Sequence, residues 1–316
     1  MRRFVKLILL PGLSFLFLEG YSQDYMWWNT KHNWDGVTHW SRYIIISPAY
    51  LGPNALPVPE TKDGSLPAKS SLEVSVENYF SPGDNTQNLF SNLYLPLFSE
   101  KVGLNISMVP VEHFKMDTIT RDIRRVRDFD GEGFSSGDFY IGTYIQVLKD
   151  YERWPDIMVS LNLKTASGGK LSAARFTDSP GYFFDLSVGK EFRFYDSFIK
   201  SVRPYGMAGF YAWQTNREDY YQNDAILYGI GYNLLFKKLE LQNSLEGYWG
   251  YIGNGDRPVV VSVTLQSKND SAINFKVSFQ HGMMDNLYNL LSAGFEIELR
   301  PITKIMLPQV ITRVGY

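Results

Sequence analysis

The stretch Leu72-Glu73-Val74-Ser75-Val76-Glu77 puts branched apolar side chains at every even position and carboxylates or a hydroxyl at every odd one. A period of two sends successive side chains to opposite faces of a β-strand, so one face suits hydrocarbon and the other carries charge. The design recurs. Val102, Leu104, Ile106 and Met108 alternate with Gly103, Asn105 and Ser107, and Ile157, Val159, Leu161 and Leu163 alternate with Met158, Ser160, Asn162 and Lys164. Further on, Ile273, Phe275, Val277 and Phe279 face away from Asn274, Lys276, Ser278 and Gln280. In all, twelve strands are predicted, centred near Val76, Leu93, Ile106, Thr143, Leu161, Val188, Gly209, Ile230, Leu245, Val263, Val277 and Phe295. Twelve is even, as single-chain bacterial barrels require.

The connections test this independently. Links after the second, fourth, eighth and tenth strands are short, at residues 98–101, 149–155, 236–238 and 267–271. Those after the third, fifth and seventh are longer, at 112–137, 165–181 and 215–224. Transmembrane barrels keep short turns in the periplasm and long loops outside. The parity therefore predicts an all-β, antiparallel up-and-down transmembrane β-barrel in the cell outer membrane, its first strand starting in the periplasm. Outward aromatics band accordingly: Phe139, Phe184, Tyr211, Trp213, Trp249 and Tyr251 towards the external end, and Phe192, Phe194 and Phe236 towards the other. A soluble sandwich also has alternating strands but has no reason to band aromatics or alternate loop lengths. Within residues 301–316, Val310, Thr312, Val314 and the terminal Tyr316 alternate and resemble the aromatic-ended assembly signal of outer-membrane barrels. Counting them as a closing strand makes fourteen the alternative.

Composition agrees. Aromatics make up 16% of 316 residues, yet mean hydropathy is -0.20, too polar for a bundle of membrane helices. A barrel with an apolar exterior and a polar lumen reconciles the two. A net charge of -2 gives no footprint for nucleic acid. The absence of Cys excludes disulfides, thiolate nucleophiles and Cys-ligated metal, and no cofactor is expected.

Three regions follow. Residues 1–22 read as an export signal, with Arg2, Arg3 and Lys6 before an apolar stretch from Leu7 to Leu18 and with Gly20 and Ser22 placing cleavage before Gln23. Residues 23–70 hold four of the seven Trp (Trp27, Trp28, Trp34 and Trp40) and a proline-rich run from Pro48 to Pro67. A disordered tail is poor in aromatics, so this segment is expected to pack into the lumen as a plug, with Tyr43 to Ile46 as a short strand; a segment lying in the periplasm is the alternative. Residues 71–316 form the barrel.

The expected lumen-lining residues are Glu73, Glu77, Asp138, Lys164, Asp185, Glu191, Arg193, Glu240, Glu246, Lys276, Glu296 and Glu298, with Lys268 among them. Such charges either line a conduit and select among permeants, or pair with one another and with the plug. Asp128, Asp130, Glu132 and Gly133 fit the start of a calcium loop, but its twelfth position is Phe139, so a solvated acidic loop is expected and no metal. Arg121, Arg124, Arg125 and Arg127 could meet lipopolysaccharide phosphates, or pair with neighbouring acids. His281 ends the eleventh strand facing outward, an interfacial position. His39-Trp40-Ser41 resembles the His-x-Ser pair of outer-membrane phospholipase A over three residues, without an identifiable Asn to orient the His.

The segments Gly-Asp-Phe-Tyr-Ile-Gly-Thr-Tyr, Pro-Asp-Ile-Met-Val-Ser-Leu-Asn-Leu-Lys-Thr-Ala-Ser-Gly-Gly and Ser-Pro-Gly-Tyr-Phe-Phe-Asp-Leu-Ser-Val-Gly-Lys-Glu-Phe lie within residues 137–192. They resemble the phenol-degradation meta-pathway type of outer-membrane transporter, which is similar to the long-chain fatty acid transporter barrels. Lys164-Thr165-Ala166-Ser167-Gly168 lacks the Pro of that family's Lys-x-Pro-Thr-Gly. The resemblance implies uptake of small hydrophobic or aromatic molecules. The Tyr-Ser-Gln end of the signal resembles exported proteins of Bacteroidota. The leading expectation is an outer-membrane channel with a small-molecule permeant, in contact with outer-membrane lipids and lipopolysaccharide. A lipid-modifying enzyme and a structural or assembly barrel are the alternatives.

Overall fold

A computed structural model describes residues 25–97, 101–269 and 271–299. The expected signal, residues 1–22, and the alternating residues 301–316 lie outside them. The chain divides into two compact units, the first ending at Val37 and the second starting at Thr38. The first contains the helical turn Met26–Lys31, and the ring of its Trp28 lies 5.2 Å from that of His32, the residue that follows the turn.

The second unit contains the strands. These are β1 (Ser71–Ser81), β2 (Asp84–Pro96), β3 (Val102–Met116), β4 (Glu132–Ser135), β5 (Tyr140–Leu148), β6 (Asp156–Lys164), β7 (Gly181–Gly189), β8 (Phe192–Arg193), β9 (Ser201–Gln214), β10 (Gln222–Leu235), β11 (Leu239–Gly250), β12 (Val259–Ser267), β13 (Ile273–Met284) and β14 (Asn289–Glu298). Each pairs antiparallel with its neighbours, and β14 returns to β1 in a register running from Ser71 opposite Glu298 to Phe80 opposite Asn289. Twelve strands thereby close into a ring, each on one of the twelve expected centres. The two short strands are additions: β4 lies on the end of β3, and β8 on the start of β9. Closure at β1–β14 makes a ring of twelve strands among the described residues.

The loop pattern follows the expected parity. At one end lie the links 117–139, 165–180, 215–221 and 251–258, and at the other the turns 149–155, 236–238 and 268–272. The link 190–200 is long for its end because β8 lies within it. Pro82-Gly83 closes the tight turn after β1, Gly83 taking a positive φ of 71° that costs a glycine little.

Alternation sets the faces. Val76, Leu161, Ile230, Phe275 and Val277 are exposed on the outside as a belt suited to lipid, while Ser75, Ser160, Asp185, Glu246 and Ser278 are buried inside. Phe184 and Phe210 stack on the outer wall, their centroids 5.8 Å apart. Two of the expected outward aromatics are misplaced. Tyr211 and Trp213 point inward and are almost wholly buried. They share a face with Arg203, Tyr205 and Met207, and they point inward because the bore at that height is packed with apolar chain.

In bilayers, Val277→Arg should cost about 2 to 4 kcal/mol by placing an unpaired charge against acyl chains. Val277→Phe should cost far less. Urea-induced unfolding from phospholipid vesicles measures both, and equal tolerance of Arg and Phe would contradict a lipid-facing Val277.

Candidate functional site

The site is the bore, and residues 38–70 occupy it. They contain no strand. Trp40–Tyr43 and Pro48–Tyr50 are single 3-10 turns, and the expected strand at Tyr43 to Ile46 is instead the exit of the first turn, extended but unpaired with any sheet. Five prolines between 48 and 67 explain this: proline has no N–H for a ladder and fixes φ. It also leaves fewer donors that need partners in a confined space.

The segment's polar groups are met by the wall. Tyr248 Oη donates to the Leu56 carbonyl at 2.9 Å, Arg203 to the Asp63 carbonyl at 3.0 Å, and Gln146 Nε2 to the Gly64 carbonyl at 2.8 Å. Leu66 N donates back to Gln146 Oε1 at 2.7 Å. Lys62 Nζ reaches Asp185 Oδ2 at 2.6 Å, and Thr61 Oγ1 donates to Glu246 Oε2 at 2.9 Å. Gly64 adopts φ +82° with the backbone of Asp156 and Gly189 against it, a position that excludes a side chain on both counts. Apolar packing adds to these bonds: Ile44, Ile46, Leu51 and Leu56 share one buried cluster with Phe114, Phe183, Tyr211, Trp213 and Tyr248. Of the four amino-terminal Trp, Trp40 packs against this cluster; the other three belong to the first unit.

A charged node sits where the segment meets the long-loop end. Arg175, from the 165–180 link, donates Nε to Glu112 at 2.7 Å, Nη1 to Asp84 at 2.7 Å and Nη2 to Thr86 at 2.8 Å. Arg124 also reaches Asp84, and Asn54 Nδ2 donates to Glu112 at 2.7 Å. A Cβ on Gly52 would run into the Arg175 guanidinium. Burial by itself would push the Arg175 pKa down, but Glu112 and Asp84 outweigh it and the value moves up, so the charge is held. At Arg124 burial prevails over Asp84 and the value moves down.

Each of the twelve expected lining residues has a partner. Glu73 pairs with Lys276 at 2.8 Å, Asp138 with Lys164 at 2.6 Å, and Asp185 with Lys62. Asn88 donates to Glu77 at 2.7 Å, Gln266 to Glu296 at 2.5 Å, and Ser262 to Glu246 at 2.6 Å. The others lie at the short-turn rim: Glu240 pairs with Lys268, Glu298 with Lys69, and Glu191 with Arg193. The last two lie beyond the end of β7, and Arg193 is exposed; the sixth strand stops at Gly189, so the period that pointed them into the lumen has already ended.

Several contributors are absent from that set. Glu112 stands at an even position, which the outward run Val102, Leu104, Ile106 and Met108 assigns to lipid. A bulge opposite Leu89 to Ser91 inserts a residue and turns it inward. Pro110 was the legible signal, since proline inside a strand marks a bulge or an edge. Arg175 belongs to a loop, where no periodicity applies.

The remaining motifs resolve locally. Lys170 pairs with Asp128 at 3.3 Å and Lys115 with Glu132 at 2.9 Å, so the acidic loop's carboxylates diverge. The arginine run turns towards the protein: Arg125 donates to the Tyr43 carbonyl, and the Arg127 guanidinium lies 5.4 Å from the Trp40 ring centroid. His39 Nδ1 lies 2.8 Å from Ser41 Oγ on an exposed turn, while its other ring nitrogen has no hydrogen bond among the described residues. His281 faces outward beside Asn289 at 2.9 Å.

No family model and no curated protein sequence matches the chain. Solved structures do. An outer-membrane channel from Pseudomonas putida F1 is similar with a TM-score of 0.52 at 10% identity, covering 77% of this chain and all of that one. The KdgM porin gives 0.42 at 11% identity over 72% and 99%, and the NanC porin 0.45 at 10% over 72% and 100%. The fold is that of the outer-membrane β-barrels, and its location is the cell outer membrane.

Arg175→Ala would leave Glu112 buried without its cation and Asp84 with Arg124 alone. The expected loss is roughly 3 to 5 kcal/mol, as when one partner of a buried pair is removed. Arg175→Lys should recover little, because an ammonium cannot hold three partners set in a fork. Urea midpoints of the three proteins in vesicles check this.

Proposed function

We propose that this protein is an outer-membrane channel for small molecules whose bore is narrowed by residues 38–70. The supporting observation is that the bore is only partly filled. Hydrogen bonds from residues 54–66 run to β3, β5, β7, β9 and β11. Towards β13, β14 and β1, apart from the packing of Val58 on Tyr79, Val260, Tyr288 and Leu290, the inner wall stays partly accessible: Glu60 is exposed, although Thr61 beside it is bonded to the inner wall. The Glu73 and Lys276 side chains on that side are 17% and 21% exposed. A hydrated gap lined by charge passes polar solutes more readily than apolar ones.

The finer expectation of hydrophobic or aromatic cargo meets a geometric condition. The rings that could receive such a molecule, Phe183, Tyr211, Trp213 and Tyr248, are already packed against Ile44, Ile46, Leu51 and Leu56. Aromatic cargo therefore requires the segment to move aside, whereas small polar solutes do not.

Planar-bilayer conductance should be small for the full chain and several-fold larger when residues 40–66 are deleted. Liposome swelling should then show faster entry of sugars and amino acids. Equal conductance in a deletion mutant that keeps its heat-modifiable barrel mobility would overturn the narrowing. Absence of conductance from both would overturn the channel.

A further inference from the structure

The direction in which residues 38–70 run has a topological consequence. At the long-loop end, Asn216 donates to the Ser41 carbonyl, Arg42 pairs with Glu218, and Ser47 Oγ donates to the Gly255 carbonyl at 2.6 Å. All three partners belong to long loops. Lys62 and Asp185 meet near the middle of the wall. Gly64 and Leu66 meet Gln146 near the other end, Tyr94 Oη donates to the Pro67 carbonyl, and Lys69 pairs with Glu298 at the short-turn rim, where β1 begins. The polypeptide thus enters the bore at the long loops and leaves it at the short turns.

The ring offers no sideways exit. The β1–β14 seam is paired from Ser71 to Phe80, and opening it in hydrocarbon would strip hydrogen bonds from both edges. Long loops face the cell exterior in barrels of this class. An exported chain reaches the outer membrane from the periplasm, so the Thr38 end of this segment stands on the side opposite to its entry.

We propose that this barrel carries its own amino-terminal polypeptide outward, so that the turn at Thr38–Tyr43 is displayed on the outer face of the membrane while Lys69 remains on the periplasmic face. The bore then serves as an export path for a piece of the protein itself. This holds whether or not solutes also pass, and its test is independent of conductance. The anchors explain why the segment stays in place. Lys62 and Asp185 are paired in the wall, Gly52 lies under Arg175, and Gly64 fits only without a side chain. Withdrawal in either direction would separate charges already taken out of water, which is costly.

The chain has no cysteine, so single cysteines report without background. His39→Cys and Lys69→Cys are compared with Asp219→Cys in a long loop and Lys237→Cys in a short turn, all at exposed positions. Intact cells are treated with a membrane-impermeant maleimide. His39→Cys should label as fully as Asp219→Cys, and Lys69→Cys, like Lys237→Cys, should label only after lysis. Ser41→Cys reads the same face if His39→Cys fails to assemble. Labelling of Asp219→Cys without His39→Cys or Ser41→Cys would overturn the proposal. So would labelling of Lys69→Cys and Lys237→Cys in intact cells, which would mean the opposite orientation.

Discussion

The seam between β1 and β14 is the interaction on which the rest of this structure depends. Within hydrocarbon no solvent can pair a free N–H or carbonyl, so a sheet must close or fail, and here closure joins the first strand to the last. Closing at twelve strands fixes the bore. About eight strands already enclose roughly what wall side chains can fill, so twelve leave a space that water or more protein must occupy. The polar inner face, the inserted segment and the inward loops all answer that surplus volume.

The segment is suited to such a space by what it lacks. With prolines at 48, 53, 57, 59 and 67 it cannot extend the sheet, and its carbonyls accept hydrogen bonds one by one from donors on the wall: Tyr248, Arg203, Gln146 and Tyr94. Its buried charges are paired. Buried ion pairs contribute more to fixing position than to net stability, because desolvation offsets much of the attraction. Lys62 with Asp185, and Arg175 over Gly52, therefore serve chiefly to set the register of the segment against the ring. The apolar cluster around Tyr211, Trp213 and Tyr248 supplies the burial that makes residence favourable.

The inner face of one end is completed by loops that fold inward. Asp117 caps the helical turn Thr118–Ile123 through the Thr120 N–H at 2.7 Å, which turns the following arginines towards Asp84 and Tyr43. A run that in sequence could equally face anionic lipid is thereby used to hold the segment. The same economy appears at Glu112, which one bulged residue moves from the lipid side to the node under Arg175.

What the sequence determined by itself was the wall. Period-two alternation is a local property, written in neighbouring residues and enforced by two solvents, and so Leu72 to Glu77 or Ile273 to Gln280 disclose both strand and face. Strand number and loop parity followed from it. Tertiary structure alone decided how the bore is occupied: that Tyr211 and Trp213 turn inward to meet Ile46, that Arg175 leaves a loop to bridge Glu112 and Asp84, and that residues 38–70 run from the long loops to the short turns. Those contacts join residues up to about two hundred positions apart, and no local period encodes them. They arise because a closed ring brings distant parts of the chain together around one interior.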